Sequence, residues 1–447
     1  MRDVDGAALM SWAVTVYLVP SILGGSCAAV LKRRVGARAT LFLAGLMFLA
    51  GTLVASLAGS MTTILLGRAL QGAGDGVIAA ICYALIPALF PSALIARVFG
   101  VEALVWAASA FGGPVLSGLV TQWISWRAAF LVNVPLIAAF LALVPLVTPR
   151  EQGQAVAGSR AVAGSGAAAA TLRGTGLLGL RLSGIAAGIM AVAVAAILPA
   201  AAGRLACLAA ASVLLVWSVR SDRSGTIRLF PAAMFRLSSR IGAIYWIILL
   251  MPLGQAVSGV YLVLGLQQIW GLRPALAGSI GALMALSWSL SAVLVAGRPR
   301  LRTGLARCGP ALNAIGLLCL LIGLLSGSIA FVLLGQVIIG TGFGLCWATL
   351  SQVVMETAEP DDRDRATALV PTVQSAGYAI GAAVAGLVAN SAGLPGALQA
   401  GAAVMGPIAR AYGVATVIAA TAALIPLLAG WARPAGDVTP GAARSST

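Results

Sequence analysis

A helix that crosses a bilayer needs about 20 mostly apolar residues, and thirteen stretches of this chain meet that demand. They lie near residues 12–31, 39–58, 64–87, 98–120, 128–147, 176–198, 203–219, 241–266, 275–296, 309–327, 329–354, 366–390 and 411–432. Gly and Ala recur throughout them, as close packing of helices in lipid requires. The pattern predicts an all-α integral membrane protein with about 13 transmembrane helices.

The spans are not independent of one another. Residues 66–120 reappear at 334–388 at a constant offset of 268 and without a gap. Leu66-Gly67-Arg68 and Gly72, Gly74 and Gly76 are answered by Leu334-Gly335-Gln336 and Gly340, Gly342 and Gly344. Further on, Gly113 matches Gly381, and Gly118-Leu119-Val120 matches Gly386-Leu387-Val388. Upstream, Lys32, Arg34 and Gly36 fall on Arg300, Arg302 and Gly304. Parallel repeats of several apolar helices are a common plan of secondary transporters, with the substrate site between the halves.

Composition agrees: 60% of the 447 residues are hydrophobic and 9% charged, and the mean hydropathy is +1.02. The net charge of +16 could suggest nucleic acid, but the basic residues cluster in alternate loops, as at Lys32, Arg33, Arg34 and Arg38, at Arg220–Arg240 and at Arg298–Arg307. By the positive-inside rule these loops, and with them the C-terminus, are cytoplasmic. Six cysteines without metal-type spacing read as small buried hydrophobes, so no metal or cofactor is expected. There is no histidine, so any proton must ride on a carboxylate.

Thirteen spans with the C-terminus inside put the N-terminus outside, although no signal peptide precedes residue 12. Subtracting 268 from the span at 241–266 places its counterpart upstream of Met1. The expectation is a fourteen-helix plan lacking its first helix. Residues 1–147 would form a five-helix bundle and 148–175 a flexible cytoplasmic linker. The spans within 176–219 have no partner in the repeat and form an inserted hairpin. A basic loop at 220–240, a six-helix bundle at 241–432 and a disordered tail at 433–447 complete the organisation.

Three motifs carry candidate chemistry. The first is Ile64, Arg68, Gln71, Gly72 and Gly74. A guanidinium inside a span is expensive and faces the bundle interior or a wet cavity, and Asp75 lies two turns along on the same face. The second is Gly100, Ser109, Gly113, Pro114, Ser117 and Gly118, in which small residues allow close helix approach and Pro114 stiffens or kinks the segment. The third is the loop Ala29, Leu31, Arg33, Arg34, Gly36 and Arg38.

In this order the motifs resemble those of the major facilitator superfamily, in its fourteen-helix drug:proton antiporter branch, over nearly the whole chain. The resemblance implies two six-helix bundles, here with the first short by a helix, and a role for Arg68 in proton coupling. It implies, from the second motif, an exchanger that exports its substrate. The third motif departs from the family pattern, with Ala29 for a Gly and Arg33 for an Asp of the gating network. Glu102 is a candidate to replace that Asp as partner of Arg33 or Arg34. Asp75 also departs from the small residue usual there. Asp75 and Glu102 are the candidate proton carriers, with simple pairing of Asp75 to Arg68 the competing reading. Gln71, Trp106, Gln267, Gln336, Phe343 and Trp347 are candidates to line a cavity, Gln336 and Phe343 because they mirror Arg68 and Asp75.

The function expected is proton-coupled efflux of small amphipathic compounds by alternating access, from a monomer in a bacterial-type inner membrane, with a small-molecule substrate, protons and the bilayer as partners and no nucleic acid. The alternative is a truncated, non-transporting membrane protein or a regulatory partner. An enzyme needs a clustered nucleophile, base or metal site, and the chain offers none.

Overall fold

The computed structural model describes residues 6–148, 165–223, 230–231, 234–296, 299–357 and 363–428. Its helices are α1 Trp12–Ser56, α2 Met61–Leu89, α3 Ser92–Trp123, α4 Trp126–Leu131, α5 Asn133–Val147, α6 Ser165–Ala195, α7 Ala201–Arg223, α8 Arg240–Trp270, α9 Pro274–Ala296, α10 Pro299–Ser326, α11 Ile329–Thr357, α12 Arg363–Ser391, α13 Leu394–Ala400 and α14 Met405–Leu428, after one 3-10 turn at Ala7–Leu9. Among the described residues, ten helical segments are long and apolar enough to cross a membrane. The segments read from the sequence fall on helices to within a few residues at their ends, except that 128–147 spans both α4 and α5 and that 429–432 of the last lie outside the described residues.

The first of the ten, α1, has 45 residues, too many for one crossing. It breaks at Gly36 (φ 84°, ψ 161°), a conformation open essentially to glycine alone. The joint turns one helix into two spanning legs. Elsewhere ends are set by ordinary caps: Ser60, Ser125 and Ser239 accept from the amides of Thr63, Ala128 and Gly242, and Gly271 closes α8 in the left-handed region. Of the expected linker, 149–164 lie outside the described residues and 165–175 form the first turns of α6, where the run Ala167–Ala170 favours helix. The expected tail also lies outside them.

The repeat is visible as packing. In α2, a Cβ added at Gly72 or Gly76 would lie 1.9 Å from the carbonyl oxygen of Tyr17 or Ser21 on the first leg of α1. On its other side, Gly67 and Gly74 stand 2.6 Å by the same measure from the carbonyls of Gly51 and Ala44 on the second leg. α11 repeats the register: Gly340 and Gly344 press on Met284 and Trp288 of α9, and Gly335 and Gly342 on Gly316 and Gly309 of α10.

One difference separates the halves. The largest apolar cluster belongs to the second half and is built on α8, whose Ile244, Ile248 and Met251 have no exposed surface. Gly377 and Gly381 of α12 seat it, with added Cβ atoms 2.4 and 2.2 Å from the carbonyls of Leu249 and Leu253. The matching positions on α3 are Ser109, which is exposed, and Gly113, whose added Cβ would meet nothing within 4 Å.

The halves touch along two seams. The first leg of α1 lies on α12, where Thr15 Oγ1 donates to Ala379 O at 3.3 Å. α3 crosses α9, where Gly278 faces Pro114 O and Gly118 faces Pro274 O. Both contacts are at the end away from the Gly36 joint. Toward the joint, Ser26 and Cys27 of α1, Val101 and Val105 of α3 and Val293 and Leu294 of α9 are exposed.

Candidate functional site

Arg68 is half-buried on α2. Its Nε donates to Ala13 O at 3.2 Å, its Nη1 donates to Gln71 Oε1 at 3.0 Å, and its Cζ lies 4.1 Å from the centre of the Tyr17 ring. Gln71, fully buried, passes the contact on by donating to Thr52 Oγ1 at 2.9 Å, and Thr52 donates to Phe48 O. Asp75 accepts from Ser21 Oγ at 3.3 Å. Tyr17, one turn from Ser21, lies within electrostatic reach of both Asp75 and Arg68. A continuous polar line thus runs from one leg of α1 through α2 to the other, in a region that the sequence makes apolar.

Arg68 and Asp75 share a face as the sequence implied, but they make no direct ion pair. Tyr17 stands between them. Tyr17 and Ser21 are members of this polar group that sequence reasoning missed. The available signal was their i, i+4 spacing opposite Gly72 and Gly76, which brings the first leg of α1 against α2.

The other candidates do not join this group. Glu102 meets neither Arg33 nor Arg34. Its Oε1 accepts from Tyr83 Oη and from Trp106 Nε1 at 3.2 Å, because Trp106 is one turn along α3. Trp106 itself is 67% exposed. Arg33 and Arg34 are exposed at the end of the first leg, whereas Arg38, just past Gly36, donates to Pro145 O and Thr148 O and to Thr148 Oγ1. Arg38 therefore caps the C-terminus of α5, where a cation meets the helix dipole.

Phe343 mirrors Asp75 but has no exposed surface, packing 5.0 Å from Trp288 and 5.7 Å from Trp347, centroid to centroid. The expectation that it lines a cavity is thereby corrected. An aromatic ring opposite Trp288 fills core that in the first half holds a carboxylate. Gln336, the mirror of Arg68, is buried with Oε1 unpaired. Gln267 is half-buried on α8 and joins none of these groups. Gly100, Ser109, Gly113, Pro114, Ser117 and Gly118 all lie on α3, and of these Pro114 and Gly118 make the α9 contact. Among the described residues no group of acidic, Cys or His side chains could hold a metal ion.

The sequence profile of the Major Facilitator Superfamily matches residues 2–235, and a probable multidrug-efflux transporter of Mycobacterium tuberculosis is 31% identical over 404 residues, covering 88% of this chain and 82% of its own. The chain belongs to the major facilitator superfamily. Among other superfamily relatives, the multidrug transporter MdtP of Bacillus subtilis is 28% identical over 138 residues, 30% of this chain and 25% of that protein. Two solved superfamily-like folds align along almost the whole chain. An auto-inhibited peptide transporter of the POT family has a TM-score of 0.60 at 18% identity, covering 97% of this chain and 89% of that one. A D-xylose–proton symporter has a TM-score of 0.60 at 16% identity, covering 94% and 86%. Superfamily membership makes the protein a multi-pass secondary membrane transporter and not an enzyme, with a small molecule as its substrate.

Proposed function

We propose that the protein exports small amphipathic compounds in exchange for protons, as a monomer, by rocking its two halves about a midplane site. The observation that carries this reading is the polar line Arg68–Tyr17–Asp75–Ser21 inside a spanning helix pair. An ionisable group in a span is expensive to keep and marks a working site by default. Because Asp75 is held by a hydroxyl and not by a direct ion pair, it can take and release a proton without a salt bridge having to break. Arg68, fixed by Ala13, Gln71 and Tyr17, supplies the field that Asp75 and Tyr17 feel.

Glu102, at the open end of α3 with Tyr83 and Trp106, is a second proton-exchanging group in this scheme. With the basic ends of the helices in the cytoplasm, the C-terminus is inside. The halves meet where Trp12 and Gly118 lie, and in this scheme substrate enters between them from the opposite end, toward Gly36, from the cytoplasm or inner leaflet.

Cells expressing the protein should extrude ethidium, an uncoupler should stop this, and Asp75→Asn should remove the uncoupler-sensitive component. Full activity in Asp75→Asn, or extrusion that persists without a proton gradient, would overturn the coupling scheme. A second reading, a membrane protein that does not itself transport, is favoured by the open face at Ser109 and Gly113. Dye retention by cells holding folded protein in their membrane would select it.

A further inference from the structure

The inserted hairpin α6–α7 lies where the two halves meet. Ala186 and Ile189 of α6 pack with Val19 of α1 and Ala379 of α12, and Val192 and Ala193, with Ala211 of α7, pack with Ala383. One inserted element therefore covers residues of both halves along the α1–α12 seam.

Polar bonds concentrate at the closed end of that seam. Trp12 Nε1 donates to Ala193 O at 3.0 Å. Asn390 Nδ2, at the end of α12, donates to Ala8 O at 2.7 Å and to Ala196 O at 3.1 Å. This one amide ties the first half, the hairpin and the second half together, while its own Oδ1 stays buried without a partner. The fit allows no slack: a Cβ at Gly386 would lie 2.0 Å from Ser11 Oγ. At its opposite end the hairpin is fastened within itself and to the segment leading into α8. Arg181 pairs with Asp222 at 3.1 Å with both side chains buried, and Asp222 Oδ2 accepts from the Phe230 amide at 3.0 Å.

We propose that the hairpin is a strap over the seam, carried by the second half, and that Asn390 is its fastening. When the closed end opens, the bonds from Asn390 to Ala8 and from Trp12 to Ala193 part, while the anchor at Arg181, Asp222 and Phe230 holds. The hairpin thus sets how much of the time the closed end stays shut, and it does so from outside the proton site. The inference rests on the alternating-access reading above.

The test uses the full chain with its six cysteines replaced and the substitution Thr15→Cys as its single thiol, at a fully buried position in the seam. A membrane-impermeant maleimide, added from the closed side, labels that thiol only when the end opens. Of the two hydrogen bonds at Asn390 only the one to Ala8 parts on opening, so Asn390→Ala should speed labelling about fivefold. In a second chain, the Thr15→Cys reporter is combined with Trp12→Phe, which keeps an aromatic ring but removes the bond to Ala193 O and should speed labelling severalfold. That change is conservative in shape, so it serves even if Asn390→Ala misfolds. Labelling that responds to a proton gradient but is unchanged by both substitutions overturns the strap alone. Labelling that never occurs under any condition overturns alternating access together with it.

Discussion

The substitution Gly→Ala, made at two positions that the repeat renders equivalent, should be costly at one and near neutral at the other. At Gly381 the new methyl would lie 2.2 Å from Leu253 O and 2.7 Å from the Ala256 side chain. Ordinary contact needs more than 3 Å, so α8 and α12 must separate by about 1 Å, and both are packed backbones rather than flexible side-chain ends. Overpacking of this kind costs about 1–3 kcal/mol, roughly a five- to hundredfold loss in the folded-to-unfolded ratio. At Gly113 the methyl meets nothing within 4 Å beyond its chain neighbours. Replacing a mid-helix glycine by alanine gains about 0.5–1 kcal/mol, but the ring of Pro114 disfavours a Cβ on the helical residue before it, so the two effects offset. The assay is unfolding of purified protein in mixed micelles under an SDS gradient, read by tryptophan fluorescence. The predicted order is Gly113→Ala level with unaltered protein, and Gly381→Ala below both. Equal destabilisation of both variants would refute the reasoning, because it would mean that the open face of α3 is covered in the folded protein by something packed as tightly as α8 is on α12.

Three further outcomes follow from the contacts. Arg68→Lys keeps the charge but loses the paired donation to Ala13 and Gln71 and the stacking on Tyr17, so uncoupler-sensitive dye export should fall to background while membrane levels of the protein stay within twofold. Removing one member of the buried Arg181–Asp222 pair should cost about 3–5 kcal/mol in the same unfolding assay, whereas Arg181→Met with Asp222→Leu should recover most of it; a double variant as unstable as the singles would count against the pair. Phe343→Ala should lower stability by about 3–5 kcal/mol through the cavity left beside Trp288 and Trp347, with the range of exported dyes unchanged. A changed range would put Phe343 back on the cavity wall.

The spans were legible in the sequence because lipid imposes a length on every crossing, and the Gly72/Gly76 and Gly340/Gly344 registers reappear in space at the same offset. The joint at Gly36 was legible only as a loop glycine. Its one-residue width depends on a backbone conformation that a hydropathy pattern does not encode. The site was half legible. Arg68, Gln71 and Asp75 stand out as polar residues in an apolar run, but Tyr17 and Ser21 do not, since hydroxyl-bearing residues are common in spans and their role depends on which face meets the neighbouring helix. Symmetry misled at Phe343: equivalent backbone positions share packing but not chemistry, and an aromatic ring has replaced the charge. Glu102 took partners from its own turn and from α2 in place of the arginines of the loop, because Tyr83 and Trp106 were nearer.

The single-residue joint at Gly36 makes α1 a tuning fork. Its two tines grip α2 from opposite sides, one on Gly72 and Gly76, the other on Gly67 and Gly74, and the stem between them has no spare length. A shaft clamped in this way cannot turn or slide by itself. A displacement of α2 must therefore be felt along both tines at once, and emerges as a tilt of the whole three-piece unit.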